Sequence, residues 1–381
     1  MRWVFAGLIV IHGLIHFMGF AKAFGLAAMP QLTQPISRVM GAAWLAAGLA
    51  MLVTSALFLM ASRSWWAVGF AAVLLSQFVI VSAWGDARFG TLANILVLAL
   101  VVHGFASRGP MSFHASYLRR VRERIAAPTA IARPGERAPV AGANLSLVTE
   151  ADLASLPQPV QRYLRLAGAV GRPRVHHFRA LWRGRIRATA NDPWMAFTAE
   201  QHNFVREPSR FFLMQATRRG LPVDVFHAFQ DGAATMRVRL LSLFPMVDQR
   251  GPDFDRAETV TLFNDLCILA PGALLDAAIR WKPIDDRSAR AHYTAGRYTI
   301  SAELFFNAAG ELVDFVSDDR LATSPDGKGL TKQRWSTPVR EYRSFGPWRV
   351  ASRGEGQWHA PDGKYAYIEL ELLDLEINGA R

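Results

Sequence analysis

Four long apolar runs dominate the start of the chain and constrain its fold more than anything after them. They extend from Trp3 to Phe20, Val39 to Ala61, Trp65 to Trp84 and Thr91 to Ala106. A helix needs roughly 20 apolar residues to cross ~30 Å of hydrocarbon, and each run is about that long, the fourth slightly short. Of the 43 Lys and Arg only six lie between Met1 and Pro110, and of the 31 Asp and Glu only Asp86 does. We therefore expect a four-helix transmembrane bundle over residues 1–110. Arg2 before the first run and Ala21-Lys22-Ala23 after it imitate a cleaved signal peptide. The run is long and three more follow at once, so it is expected to be retained.

Four spans put both ends of the bundle on one side of the membrane. Arg2, Arg63, Arg108, Arg119, Arg120, Arg122 and Arg124 fall on that side, against Lys22, Arg38 and Arg88 on the other. The positive-inside rule then places the termini, and the rest of the chain, in the cytoplasm of a multi-pass inner-membrane protein. SYLRRVRERIAA continues as a basic helix, whose Arg119, Arg120, Arg122 and Arg124 are candidates for anionic headgroups or for a solvated flank. PTAIARPGERAPVAGANLS reads as a linker, giving a juxtamembrane segment over 111–143 and a further domain over 144–381.

That domain starts with a helix in TEADLASLPQPVQRYLRLAGAV, where Thr149 and Asp152 form a capping box and Gly168 or Gly171 ends it. From Arg174 the period changes to two. In ALWRGRIRA, Trp182 and Ile186 face one way and Arg183, Arg185 and Arg187 the other. YTISAELFF, the turn NAAG and ELVDFVS form a hairpin, and YIELELLDLEIN alternates until Leu372 and Leu373 adjoin, where a β-bulge would restore the pattern. With PDG turns at 325–327 and 361–363, we expect a mainly antiparallel curved sheet or half-barrel of about ten to twelve strands with a few helices. FNDLCILAPGALLDAAIRW interrupts it as two short helical pieces laid on the sheet, the first capped by Asn264 and the second started by Pro271.

Several of these segments, LPQPVQRYLRLAG, WMAFTAEQ, FNDLCILAPGALLD, RWKPID, FVSDDR, RWSTPV and YAYIELELLDLEIN, resemble an uncharacterised bacterial membrane-protein family, domain of unknown function 6544. The resemblance implies a bacterial protein and supplies no catalytic residues. Strand count and the inserted apolar helix are also similar, at fold level alone, to the half-barrels of bacterial lipoprotein carriers. Those carriers work in the periplasm, opposite to the side the charge count favours.

Chemistry-bearing residues are sparse. His12 and His16 share one face of the first span and are weak metal or haem candidates. Hydrogen bonds to Ser76, Gln77 or Asn94 explain them as well. Asp285, Asp318 and Asp319 are the candidate acid/base residues of an enzyme acting on a membrane-associated substrate. Adjacent strand residues point to opposite faces, so Asp318 and Asp319 do not form a dyad by themselves, and buried ion pairs are the simpler reading of Asp265 and Glu258. Cys267 is the only cysteine, which excludes an intrachain disulfide. Nucleotide-binding and nucleophile motifs are absent, no cofactor is expected, and the excess charge of +12 suits anionic headgroups as readily as nucleic acid, which is not expected as a partner. Trp182, Phe226, Leu266, Leu269, Leu274 and Phe306 are the candidates for lining a lipid or other apolar ligand, and they describe a packed core equally well. A sensor or assembly factor that binds protein through the sheet is the remaining alternative.

Overall fold

The computed structural model describes residues 2–127, 146–323 and 330–379. The expected linker and its boundary near Ala143, and the turn at 325–327, lie outside the described residues. Contacts divide the chain into two units, Met1–Ser116 with Leu241–Leu243, and Tyr117–Leu240 with Phe244–Arg381.

In the first unit α1 (Arg2–Ala23), α2 (Arg38–Leu59), α3 (Trp65–Ser82) and α5 (Gly90–Arg108) follow the four apolar runs, with a short α4 (Trp84–Ala87) before the last. Four helices are long and apolar enough to cross a membrane. Lipid tails supply no hydrophobic drive between such helices, so close packing matters. A Cβ on Gly19 would stand 2.3 Å from the Trp44 ring, and one on Gly104 2.4 Å from Trp65, so each glycine makes room for an indole. Asp86 accepts from the backbone of Thr33 (2.5 Å) and Gln34 (2.8 Å), and so pins the α1–α2 loop.

α6 (Phe113–Ala126) follows. In the second unit the capping box of Thr149 and Asp152 forms as expected, but the helix it opens, α7 (Glu150–Leu153), is a single turn. Pro157 breaks the expected long helix, and α8 (Gln158–Leu166) begins after it.

The sheet has 14 antiparallel strands, 13 in one path and one as a side branch, and a separate two-stranded ribbon brings the total to 16, more than expected. β1 (His177–Ile186), β2 (Met195–Phe204), β3 (Ser209–Arg218), β4 (Leu221–Gln230), β5 (Ala233–Leu240) and β6 (Phe244–Arg250) form one meander. The β3–β4 and β4–β5 turns place Arg219-Gly220 and Asp231-Gly232 at positive φ, the geometry of two-residue hairpins. The second half contains β7 (Ile279–Asp285), β8 (Ser288–Ala295), β9 (Tyr298–Phe306), β10 (Leu312–Ser317), β11 (Leu321–Thr323), β12 (Leu330–Lys332), β13 (Trp335–Ser336), β14 (Val339–Phe345), β15 (Trp348–Ala360) and β16 (Gly363–Ile377). The surplus over the expected count comes largely from β11, β12 and β13, which are two or three residues long and too short to carry a period.

β16 joins the halves by pairing with β1 and β15. Its register against β1 steps from Leu181↔Asp374 to Trp182↔Leu372, so Leu373 is the extra residue of the expected bulge. β6 and β7 are the two edges of the sheet. The chain between them must therefore cross the sheet's open side, and α9 (Pro252–Leu269) makes that crossing. At ~1.5 Å per residue a helix of this length spans about 27 Å. It begins far earlier than the expected Asn264 cap: Asn264 lies inside α9 and accepts from the Thr337 hydroxyl at 2.6 Å. The break at Ala270 and the restart at Pro271 hold, the second piece being a 3-10 helix, Pro271–Leu275.

Candidate functional site

α9 has two different faces. Phe263 stacks on Tyr293 at 4.9 Å and meets Phe315 at 5.6 Å, and the Tyr163 hydroxyl donates to the Cys267 carbonyl at 2.8 Å. These contacts seat it on the β8–β10 half. The opposite face carries Phe254, Glu258, Thr261, Asp265 and Ile268, spaced three and four apart as one stripe of a helix must be. That stripe lines a cavity of about 1420 Å³ in the trough of the half-barrel. Small-molecule sites usually occupy ~300–1,000 Å³, so this one has room for a lipid.

The opposing wall comes from the inward alternation of the first meander: Trp182 and Ile186 of β1, Phe212, Met214 and Ala216 of β3, Val223 and Val225 of β4, Met236 and Val238 of β5. Against this apolar wall stands a short polar chain. Arg210 Nε donates to Asp265 Oδ2 at 2.6 Å, and the amides of Gln201 (2.6 Å) and Asn203 (3.3 Å) donate to the same oxygen. Arg210 also donates to His227 Nδ1 at 2.6 Å, which leaves the imidazole proton on Nε2. That nitrogen is 3.2 Å from Glu258 Oε2, off the line of a good hydrogen bond, and Glu258 accepts from Arg320. The Arg320 guanidinium lies over Trp335 at 5.0 Å and Trp358 at 5.8 Å.

Burial governs the protonation of this chain. It holds the His227 imidazole at about 4, outweighing the Glu258 carboxylate, so the ring is neutral near pH 7. Burial would raise Glu258, but Arg320, His227 and Arg210 overcome it and hold the carboxyl at about 2. Asp265 is raised by burial, against Arg210 and the two amides, whose donation to one oxygen is the pattern of a carboxylate. The two ion pairs cancel, so the polar chain carries no net charge at neutral pH. Glu258 and Asp265 thus form the buried ion pairs expected of them.

The sequence-derived candidates separate. Trp182 and Leu269 line the cavity. Leu266, Leu274 and Phe306 are packed in the core. Phe226 belongs to the other face of β4, where Tyr117 of α6 meets its ring edge-on at 6.3 Å. Asp285 sits in the β7–β8 turn and accepts from the Arg287 backbone at 2.8 Å. Asp318 is exposed, 3.9 Å from Arg334. Asp319 accepts from the Ser301 backbone (2.8 Å) and pairs with Arg256 (2.9 Å). None of the three lines the cavity.

In α6, Arg124 is turned onto Ser209 and Glu207, and Arg120 lies over Phe226 at 6.0 Å, while Arg119 and Arg122 are exposed. His12 Nε2 is 2.9 Å from Asn94 Oδ1 and 3.2 Å from Ser76 Oγ, tying α1 to α3 and α5, and His16 Nδ1 is 2.8 Å from the His12 carbonyl. Among the described residues no group of three or more His, Cys, Asp or Glu side chains converges as a metal site.

Gln201, Arg210, His227 and Arg320 are the site residues that sequence reading missed. The spacing of Glu258, Thr261 and Asp265 was the available signal that α9 carries a polar stripe; their partners come from strands remote in sequence.

The model of a family of unknown function, DUF6544, matches residues 146–370. This chain belongs to that family. The matched region of the DUF6544 chain runs from before α7 into β16 and so contains α9 and nearly all of the sheet. No curated protein matches the chain. Among solved structures, a putative outer membrane lipoprotein-sorting protein domain from Vibrio parahaemolyticus aligns at 11% identity over 54% of this chain and 87% of that one, with a TM-score of 0.33. A DUF1329 family protein from Desulfovibrio piger ATCC 29098 aligns at 10% identity over 60% of this chain and 95% of that one, with a TM-score of 0.25. Such low values transfer no function from either protein.

Proposed function

We propose that this DUF6544 protein is a membrane-anchored binding protein whose β domain holds a lipid or other apolar molecule in the trough beneath α9. The cavity itself carries the reading: about 1420 Å³ bounded on one side by the apolar wall of β1 and β3–β5. A packed core does not leave space of that size, because interiors fill to crystal-like density with few voids larger than a water molecule. The four apolar helices supply the anchor. The enzyme alternative has no comparable support, since Asp285, Asp318 and Asp319 stand away from the cavity.

Substituting Ala216, a small residue on the cavity wall, with Trp fills the trough without touching the polar chain. The test compares molecules extracted by organic solvent from the full-length wild type and Ala216→Trp after exchange into the same detergent, identified by mass spectrometry. The expected result is a species retained by the wild type and missing from the variant, against an equal background of annular lipid. Identical extracts would sink the proposal.

A further inference from the structure

We propose that the molecule held under α9 is an amphiphile with one acidic headgroup, a carboxylate or a phosphate, seated at the end of the trough formed by Arg187, Lys332 and Arg334. This rests on the lipid-binding reading above and adds the headgroup. Lipid tails are about as apolar as leucine, so moving an acyl chain from the bilayer to an apolar wall gains little. Selection must come from polar groups.

The charged lining is unequal: Arg187, Arg210, Arg320, Lys332, Arg334 and Arg353 against Glu258, Asp265, Glu355 and Asp362. Most of it is spoken for. Arg210 pairs with Asp265 and Arg320 with Glu258, Glu355 is bound by Arg340, and Arg353 reaches Glu341. Among the described lining residues this leaves Arg187, Lys332 and Arg334 on the cationic side and Asp362 on the anionic side. Arg187 gives its N–H groups to the carbonyls of Ala366 and Ala190 and lies over Trp194 at 4.4 Å. Lys332 is 3.5 Å from Asp319, which Arg256 holds more closely, and Arg334 comes no nearer a carboxylate than 3.9 Å from Asp318 among the described residues.

Backbone register brings Arg187 and Arg334 to one end, and Lys332 precedes Arg334 by two residues. Arg187 donates to the Tyr367 carbonyl, Tyr365 pairs with Trp358, and His359 donates to the Arg334 carbonyl, so β1, β16, β15 and the segment before β13 meet there. The neutral Arg210–Glu258 chain lies further in and needs no ligand charge. An anionic head at the cationic end with its chain along Met214, Val225 and Val238 satisfies both halves of the cavity.

The test uses four photoreactive probes with the same diazirine-bearing acyl chain: a free carboxylate, a phosphate monoester lipid, a phosphocholine lipid and an uncharged acylglycerol. Each is presented to the full-length chain in zwitterionic nanodiscs, and labelling is counted on β3–β5 peptides. The carboxylate, the phosphate or both should label about tenfold more than the uncharged probe, the worth of one charge-assisted contact. Arg187→Gln with Arg334→Gln should reduce acidic labelling to the uncharged level and leave uncharged labelling intact. If the double variant loses uncharged labelling too, the single Arg334→Glu, at an exposed side chain, decides the matter by the same criterion. Equal labelling by all probes, or an acidic preference that survives the substitutions, overturns the headgroup assignment alone. No β3–β5 labelling by any probe overturns the lipid-binding reading with it.

Discussion

His227 shows how one residue sets the acid limit of this site. Its ring is neutral because burial holds it at about 4, against 6.5 in an unfolded chain. Between those values the unfolded state binds the extra proton, so stability rises with pH and is lost as pH falls from about 6.5 toward 4. Glu258, held at about 2, adds its own loss only below its ordinary 4.5. His227→Gln removes the first loss, though His177, also held at about 4 by burial, keeps part of it. In guanidinium titrations of the full-length chain, the drop in midpoint between about pH 7.5 and pH 5 should be smaller for the variant; an unchanged drop would refute this account of His227. None of this was legible in sequence, where His227 stands alone. Its partners Arg210 and Glu258 reach it from β3 and α9, far from it along the chain, and a single sequence gives no sign of such pairings.

At the scale of elements, local rules succeeded where their signal is local. The β16 bulge followed from two adjacent leucines in an alternating strand, and the structure buries Leu372 to 2% exposure and leaves Leu373 at 48%. Leu372→Ser should therefore cost about 2–4 kcal/mol, while Leu373→Ser should stay within about 0.5 kcal/mol. Equal costs by denaturant titration would mean that the bulge lies elsewhere. The Thr149–Asp152 capping box was also readable, as was the Pro271 restart. The start of α9 was not. PDFDRAETVTLFNDL mixes acids into an apolar run, and its buried acids are held by partners remote in sequence: Asp255 by the Ala234 N–H, Glu258 by Arg320 and Asp265 by Arg210. Phe226 failed for the opposite reason: alternation says that Phe226 and His227 face different ways, but not which of those faces α6 covers.

For the whole molecule, the division between apolar spans and an antiparallel β domain was written in composition and period. The closing strand pair β1–β16, which makes one curved sheet of two meanders, was not, because pairing between the two ends of a domain leaves no mark on either strand. That pairing puts β6 and β7 at opposite edges and obliges α9 to cross the opening. A sheet of this size closed by a helix with a polar stripe makes a covered trough, and the central claim is that the trough holds a ligand. The most direct measurement is an experimental density map of the full-length chain purified in a mild neutral detergent. The account predicts elongated density along Met214, Val225 and Val238, beneath Glu258 and Asp265. A trough filled only by water, or collapsed so that α9 packs directly on β3 and β4, would contradict it.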